Sequence, residues 1–268
     1  MNIKKIIELF VYRLLNPLFP KRKRKFRDTP ESYANKQYEW GKVSLSYFNG
    51  FIDFKGKKVL DAGCSLGGKT LLFSELGPEQ IIGIDIDMVR LKYARENAVK
   101  KDRDIKFIES SLDNIPFITG SLDMIMLNDV VEHIESSILK NSLMECKRVL
   151  KKGGKLFLEF PPWQSHDASH LYDYINIPWC QLIFRDITLF QLIKDNEDLK
   201  TLGSLNVIEH YRELNRITIA EFNKIISELN FGTELFKTRM IKNLNFLNYI
   251  PFLNKYFVTR AIYILVKN

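Results

Sequence analysis

The stretch Lys57-Lys58-Val59-Leu60-Asp61-Ala62-Gly63-Cys64-Ser65-Leu66-Gly67-Gly68 constrains this chain more than any other. A short apolar run, fit for one buried strand, ends on an acid, and a loop of small residues follows. Glycines there let the backbone turn tightly and approach a ligand without Cβ clashes. Residues 70–76 continue as a helix that Gly77-Pro78 stops. The loop therefore opens a helix N-terminus, whose first N–H groups lack intrahelical partners and suit a carboxylate or phosphate. Asp61 can hold an ammonium beside it. A ligand carrying both charges matches that pair.

Strand and helix signals then alternate. Residues 57–61, 80–84, 105–109, 121–127 and 155–160 read as strands. Residues 87–100 and 135–151 read as helices, the second with its stop at Gly153-Gly154. This spacing predicts a mostly parallel sheet with right-handed crossovers. The pattern breaks over residues 163–216, which are rich in aromatics, His and Asp, and an inserted cap is expected there. A helix at 218–229 and two late strands, 233–240 and 257–266, complete the sheet, with an aromatic loop at 243–256 between them. The expected divisions are a 1–27 arm, a 28–56 helical cover, a 57–162 core, a 163–216 cap and a 217–268 completion of the sheet. The aromatics of 28–56 either cover the ligand site or simply pack.

Four segments in order carry a family resemblance. The 59–68 segment resembles motif I of class I S-adenosylmethionine-dependent methyltransferases, with Ser65 replacing the commonest middle glycine. Ile82-Gly83-Ile84-Asp85 puts an acid at the end of the second strand, where it accepts ribose hydroxyls in a doubly wound fold; alone, such an acid would read as a helix cap. Phe107-Ile108-Glu109-Ser110-Ser111-Leu112-Asp113 and Asn128-Asp129-Val130-Val131-Glu132-His133 continue the likeness. It implies a Rossmann-like, doubly wound α/β fold with a seven-stranded sheet and a cap after the fifth strand. It also implies S-adenosylmethionine as cofactor, held by Asp61, Gly63, Cys64, Ser65, Gly67, Asp85, Ile86, Ser111, Leu112 and Asn128. Ser111 stands where the family commonly has Asp, so Asp113 or a carbonyl would have to supply the adenine contact. A nicotinamide dinucleotide fits worse: Gly63-x-Ser65-x-x-Gly68 lacks the middle glycine needed at a pyrophosphate, and Asp61 would repel it.

Methyl transfer from a sulfonium is an in-line displacement, so the enzyme mainly aligns its reactants. A hydroxyl acceptor also needs a base. His170 oriented by Asp173 is the first candidate and His133 the second; a hydrogen-bonded structural histidine is the plain alternative for each. No spacing supports a metal site among these residues. The segment from Phe160 to Tyr174 is similar to the cap of bacterial methyltransferases of surface-polysaccharide assembly. That likeness implies O-methylation of a glycan, sugar or glycolipid precursor. A quinone or other lipid methyltransferase is the alternative. A non-catalytic scaffold binding the cofactor or a membrane is the alternative of another class. Trp163, Tyr172, Tyr174 and Trp179 either wall an acceptor or pack.

Charge separates the N-terminal arm from the rest. Nine of the 40 Lys and Arg residues and one of the 32 acids lie in residues 1–27, leaving 31 of each sign beyond. A nucleic-acid enzyme would instead carry basic charge around its cleft, so nucleic acid is not expected as a partner. Ile3, Ile6, Ile7, Phe10, Val11, Leu14 and Leu15 recur at helical spacing before Asn16-Pro17, and Lys21-Arg22-Lys23-Arg24-Lys25 follows. The arm either lies on an anionic membrane surface or packs on the protein's own body. Three scattered cysteines, no apolar run of ~20 residues and no signal-peptide pattern lead to an expected cytoplasmic location, peripheral to the inner membrane if the arm binds lipid.

Overall fold

In a computed structural model of the chain, residues 3–19, 29–172, 174–196, 204–242, 250 and 252–268 are described. Their contacts fall into two units.

The larger unit, residues 27–160, 219–237 and 261–268, holds the body of the sheet. Its strands are β1 (Lys58–Ala62), β2 (Gln80–Asp85), β3 (Lys106–Glu109), β4 (Leu122–Asn128), β5 (Leu150–Phe160), β6 (Phe231–Met240) and β7 (Val258–Lys267). The order is β3-β2-β1-β4-β5-β7-β6. β1 to β5 pair in parallel, and β7 runs antiparallel to β5 with Phe157 opposite Ile264. The apolar runs of β1 and β4 are buried nearly throughout, as strands covered on both faces must be. Strand order reverses at β1, which β2 and β4 flank, so the ligand crevice of such a sheet lies beyond the ends of β1 and β4.

Helices α2 (Pro30–Ser46), α3 (Gly68–Ser74), α4 (Met88–Lys100), α5 (Leu139–Val149) and α9 (Ile219–Glu228) belong to this unit. Thr29 caps α2 through its hydroxyl, with Pro30 in the first turn. α5 buries Leu139, Leu143, Cys146 and Val149, one stripe at helical spacing. It ends at Val149, earlier than its glycine pair predicts. Leu150 already has extended dihedrals, and Gly153-Gly154 lies inside β5, where the β4–β5 register shifts. A Cβ on Gly154 would come within 2.9 Å of the Lys151 carbonyl, so the glycine serves the strand's irregularity rather than the helix stop.

The smaller unit, residues 1–26, 161–218 and 238–260, contains α1 (Ile3–Leu15), α6 (Cys180–Ile183), α7 (Asp186–Lys194), α8 (Ser204–Glu213) and α10 (Asn254–Phe257). Its core joins Leu171, Ile175, Cys180, Leu189, Ile208 and Tyr211. α1 packs on this core through Val11, Tyr12 and Leu15. Glu8 accepts from Arg185 Nε at 2.5 Å and from the Thr188 hydroxyl. Burial works against the Glu8 charge, yet Thr188 and Arg185 hold its carboxyl below the ordinary range. The basic run of residues 21–27, residues 243–249 and 251 of the aromatic loop expected at 243–256, and Asp173 lie outside the described residues.

Candidate functional site

The loop between β1 and α3 is tied down by its own backbone. The amides of Gly63 and Cys64 both donate to the Ile84 carbonyl, at 2.8 and 2.9 Å. The Ser65 amide donates to Asp85 Oδ2 at 2.8 Å. These three amides are therefore engaged within the fold, and the loop's glycines also offer shape to a ligand. Gly63 sits at φ +74°, and a Cβ there would fall 2.6 Å from Val130 Cγ2. Gly68 lies against α2 so closely that its Cβ would meet the Ala34 carbonyl oxygen at 2.0 Å. Ser65 takes the left-handed region at φ 51°, the conformation its glycine counterpart would adopt freely. Gly67 is the N-cap residue of α3, and Cys64 is buried below the loop.

Asp85 ends β2 and bonds two backbone amides, Ser65 on one oxygen and Asp87 at 3.0 Å on the other. The helix cap is Asp87, which accepts from Val89 and Arg90. Asp85 therefore braces the glycine loop, and each of its oxygens keeps a further lone pair for a diol. Ile86 beyond it is largely exposed. Past β3, the Ser111 hydroxyl donates to Asp113 Oδ1. That pairing brings a carboxylate to the position where Ser111 alone has none, with Leu112 half-buried between them.

The chemistry concentrates at the ends of β1 and β4. Asp61 is buried and accepts from the Thr70 hydroxyl at 2.6 Å. Burial pushes its carboxyl up from 3.8 to about 6, against the Thr70 hydrogen bond and the Lys69 charge, with Asp85 adding to the rise. Lys69 is itself buried and donates to Asp129 Oδ2 at 2.9 Å and to the Asn128 carbonyl at 3.2 Å. Burial would lower the Lys69 pKa, but Asp129, Glu159 and Asp61 together raise it. Glu159, buried in β5, accepts from the Ser44 hydroxyl. One ammonium among three carboxylates leaves this end of the sheet suited to a cation. Asn128 is 5% exposed, and neither atom of its side-chain amide has a hydrogen-bond partner among the described residues. A buried amide in that state costs free energy unless a ligand completes it. Together these residues fit S-adenosylmethionine: a steric glycine cradle, an acid for the ribose, acids for the positive methionine end, and an amide awaiting partners.

Lys69, Thr70 and Glu159 were missed by the sequence reading. Glu159 interrupts the buried apolar run of Leu156, Phe157, Leu158 and Phe160, and that interruption was the available signal for it. His133 follows β4 in the same unit, half-buried, its Nε2 4.0 Å from Glu132 Oε1.

In the smaller unit, His170 stands at φ 56°, with its Nδ1 3.2 Å from Nε2 of His210 on α8. His210 Nδ1 lies 3.8 Å from Glu213 Oε2. His210 carried no sequence signal, since it sits on a polar helix face. The four cap aromatics all have packing partners: Trp163 on Tyr211, Tyr172 and Trp179 on His166, and Tyr174 on the cap core.

Residues 60–158 match the family model of the methyltransferase domain. The chain is 30% identical over 136 residues to a Methanocaldococcus jannaschii protein that bears the name of a protein N5-glutamine methyltransferase, covering 44% of this chain and 68% of that one. It is 31% identical over 117 residues to a ubiquinone biosynthesis O-methyltransferase of Xanthomonas oryzae, covering 43% of this chain and 48% of the relative. The corresponding Idiomarina loihiensis enzyme is 35% identical over 120 residues, covering 43% and 47%. The chain thus spans about half the length of these ubiquinone-pathway relatives. Among solved structures, geranyl diphosphate methyltransferase with S-adenosylmethionine bound aligns at TM-score 0.57 and 12% identity, over 86% of this chain and 85% of that one. The cyclase SpnF aligns at TM-score 0.57 and 13% identity, over 99% and 94%. These two likenesses concern the fold alone.

Proposed function

The chain belongs to the class I S-adenosylmethionine-dependent methyltransferase family, and from that premise we propose that it transfers a methyl group to a hydroxyl of a lipid-linked glycan or glycolipid precursor. The observation that supports the cofactor side is the buried Asn128 amide without partners, beside Asp61 at the ends of β4 and β1. S-adenosylmethionine supplies an electrophilic methyl group with a neutral thioether as leaving group. Asp85 accepts from the ribose diol while continuing to brace the glycine loop. Asp113, held by Ser111, takes the adenine amino group. Asp61 and the acids around Lys69 favour the positive methionine end, and Asn128 bonds its polar atoms.

On the acceptor side, His170 takes the hydroxyl proton as oxygen attacks the methyl carbon. Its pairing with His210 supports that role: in the tautomer donating from Nδ1 to His210, the Nε2 atom carries the lone pair that receives the proton. Among the described residues, His210 lies beside this ring and Glu213 beside His210; the expected Asp173 lies outside them. His133 is the second candidate base. A lipid-borne acceptor would bring the protein to a membrane surface, the partner expected of residues 1–27.

A quinone-like acceptor is the second reading, favoured by the ubiquinone-pathway relatives. A non-catalytic scaffold that binds the cofactor or a membrane is the reading of another class. Labelled-methyl transfer into extracted glycolipid and quinone fractions separates the three. Label in a saccharide-containing lipid supports the proposal, and label in quinone supports the second reading. Cofactor binding without label in any fraction supports a scaffold. Replacing His170 by Gln should abolish transfer and leave cofactor binding intact; full activity in that variant overturns its role.

A further inference from the structure

The two faces of α1 differ in what they meet: a face of mixed polar and apolar side chains docks, and a purely apolar stripe is left exposed. Lys5, Glu8, Tyr12 and Leu15 lie on the side that docks: Lys5 bonds Gln191, Glu8 bonds Arg185 and Thr188, and Tyr12 packs edge-on against Phe184. The side left to solvent is apolar. Ile3, Phe10 and Leu14 are 73%, 61% and 58% exposed, and Ile6 and Ile7 are exposed with them. At 3.6 residues per turn these five fall within an arc of about 100°, opposite the docked side. Leu18 extends the stripe past the helix end.

A globular domain gains nothing by leaving a continuous apolar helix face in water. Charge identifies the missing occupant. The exposed residues Arg13 and Lys4 border the arc. The chain's entire basic excess lies in residues 1–27, with five consecutive Lys or Arg starting three residues after Leu18. An apolar stripe with cations at its margins lies in the plane of an anionic bilayer, the side chains among the acyl boundary and the cations at the headgroups. No helix among the described residues is long and apolar enough to cross a membrane.

We propose that α1 is a two-sided strap. Its Glu8 side fastens to the cap, and its Ile3, Ile6, Ile7, Phe10 and Leu14 side enters the surface of an anionic membrane, assisted by the basic run. Lipid contact is thereby carried to the cap by a helix bolted to it, rather than by a loose tail. The inference rests on the proposed reading of a lipid-borne acceptor and sharpens it. Its test needs neither cofactor nor acceptor, so either can fail alone.

The test is co-sedimentation of the full chain with vesicles of phosphatidylcholine alone and of phosphatidylcholine with one third phosphatidylglycerol. The native chain is expected to pellet with the anionic vesicles and release in high salt. A Phe10→Ser, Leu14→Ser double variant should bind about tenfold more weakly at a nearly unchanged melting temperature, because those side chains are mostly exposed. Changing Lys21, Lys23 and Lys25 to Gln should remove the preference for anionic lipid. Equal pelleting of the double variant, or no pelleting of the native chain, overturns the proposal. So does a native dimer that the double variant converts to monomer with no vesicle binding in either, because a second copy then covers the stripe.

Discussion

Lys69 Nζ sits 2.9 Å from Asp129 Oδ2, joining the first turn of α3 to the residue just past β4. The ammonium is nearly buried and the carboxylate about one third exposed. The pair locks the glycine loop's helix to the end of the strand that carries Asn128, and it keeps the surrounding acids from repelling one another.

Replacing Lys69 by Met should therefore destabilise the protein by about 2–3 kcal/mol, because removing one member of a buried pair strands the other charge. Asp129→Asn should cost less, since the amide oxygen can still accept from Lys69 while Glu159 and Asp61 continue to balance the ammonium, whereas Lys69→Met leaves three carboxylates without a cation. Urea unfolding of both variants checks the order; equal losses would place the energy elsewhere.

Asp61 gives the site a pH dependence of unusual sign. Its folded value, about 6, lies above the ordinary 3.8. The folded state thus binds more protons than the unfolded state between those values. Asp61's contribution to stability is full below about pH 4, is lost as pH rises to about 6, and is constant above. Cofactor binding has the opposite demand, because a cation prefers the ionised form. Calorimetry should show affinity for S-adenosylmethionine falling as pH drops below about 6. A Thr70→Val variant, lacking the hydroxyl that favours the carboxylate, should move that fall to higher pH.

Asp85→Ala should weaken cofactor binding by about 1.5–3 kcal/mol, the range for a hydrogen bond to a charged group. It also leaves the Ser65 amide without its acceptor. Asp85→Asn keeps an acceptor oxygen and should lose less. A ranking of native, Asn, Ala in calorimetry is the expected result, and indifference to both changes would remove the diol contact.

Gly63→Ala combines a left-handed backbone with a Cβ 2.6 Å from Val130. The expected loss is about 1–3 kcal/mol of stability, measured by thermal or urea unfolding. Gly77→Ala serves as the comparison: it shares a positive φ, but no atom lies within 4 Å of its added Cβ, so only the backbone cost remains.

Elements whose order is set by period and punctuation were legible in the sequence. The strands and helices from β1 to β5 and the late strands lie within a few residues of expectation, because apolar runs between glycines and prolines leave few alternatives. The error at α5 came from assigning Gly153-Gly154 to a helix stop when a strand irregularity also demands glycine. Asp85 was found by its place at a strand end, but its bracing of Ser65 was invisible, because two residues 20 apart meet only in the folded loop. His210 and the docking of Lys5 and Glu8 on α1 were hidden for one reason: polar residues on a helix look the same whether they face water or a partner.

In the turn after β1, the Gly63, Cys64 and Ser65 amides are already given to Ile84 and Asp85. Such a rim does not wait for a guest to stiffen it. The conformational entropy that a glycine-rich segment would otherwise surrender on association has been settled during folding, so affinity is not taxed by ordering the host. Amide hydrogen exchange at Gly63, Cys64 and Ser65 should accordingly be slow before any small molecule arrives.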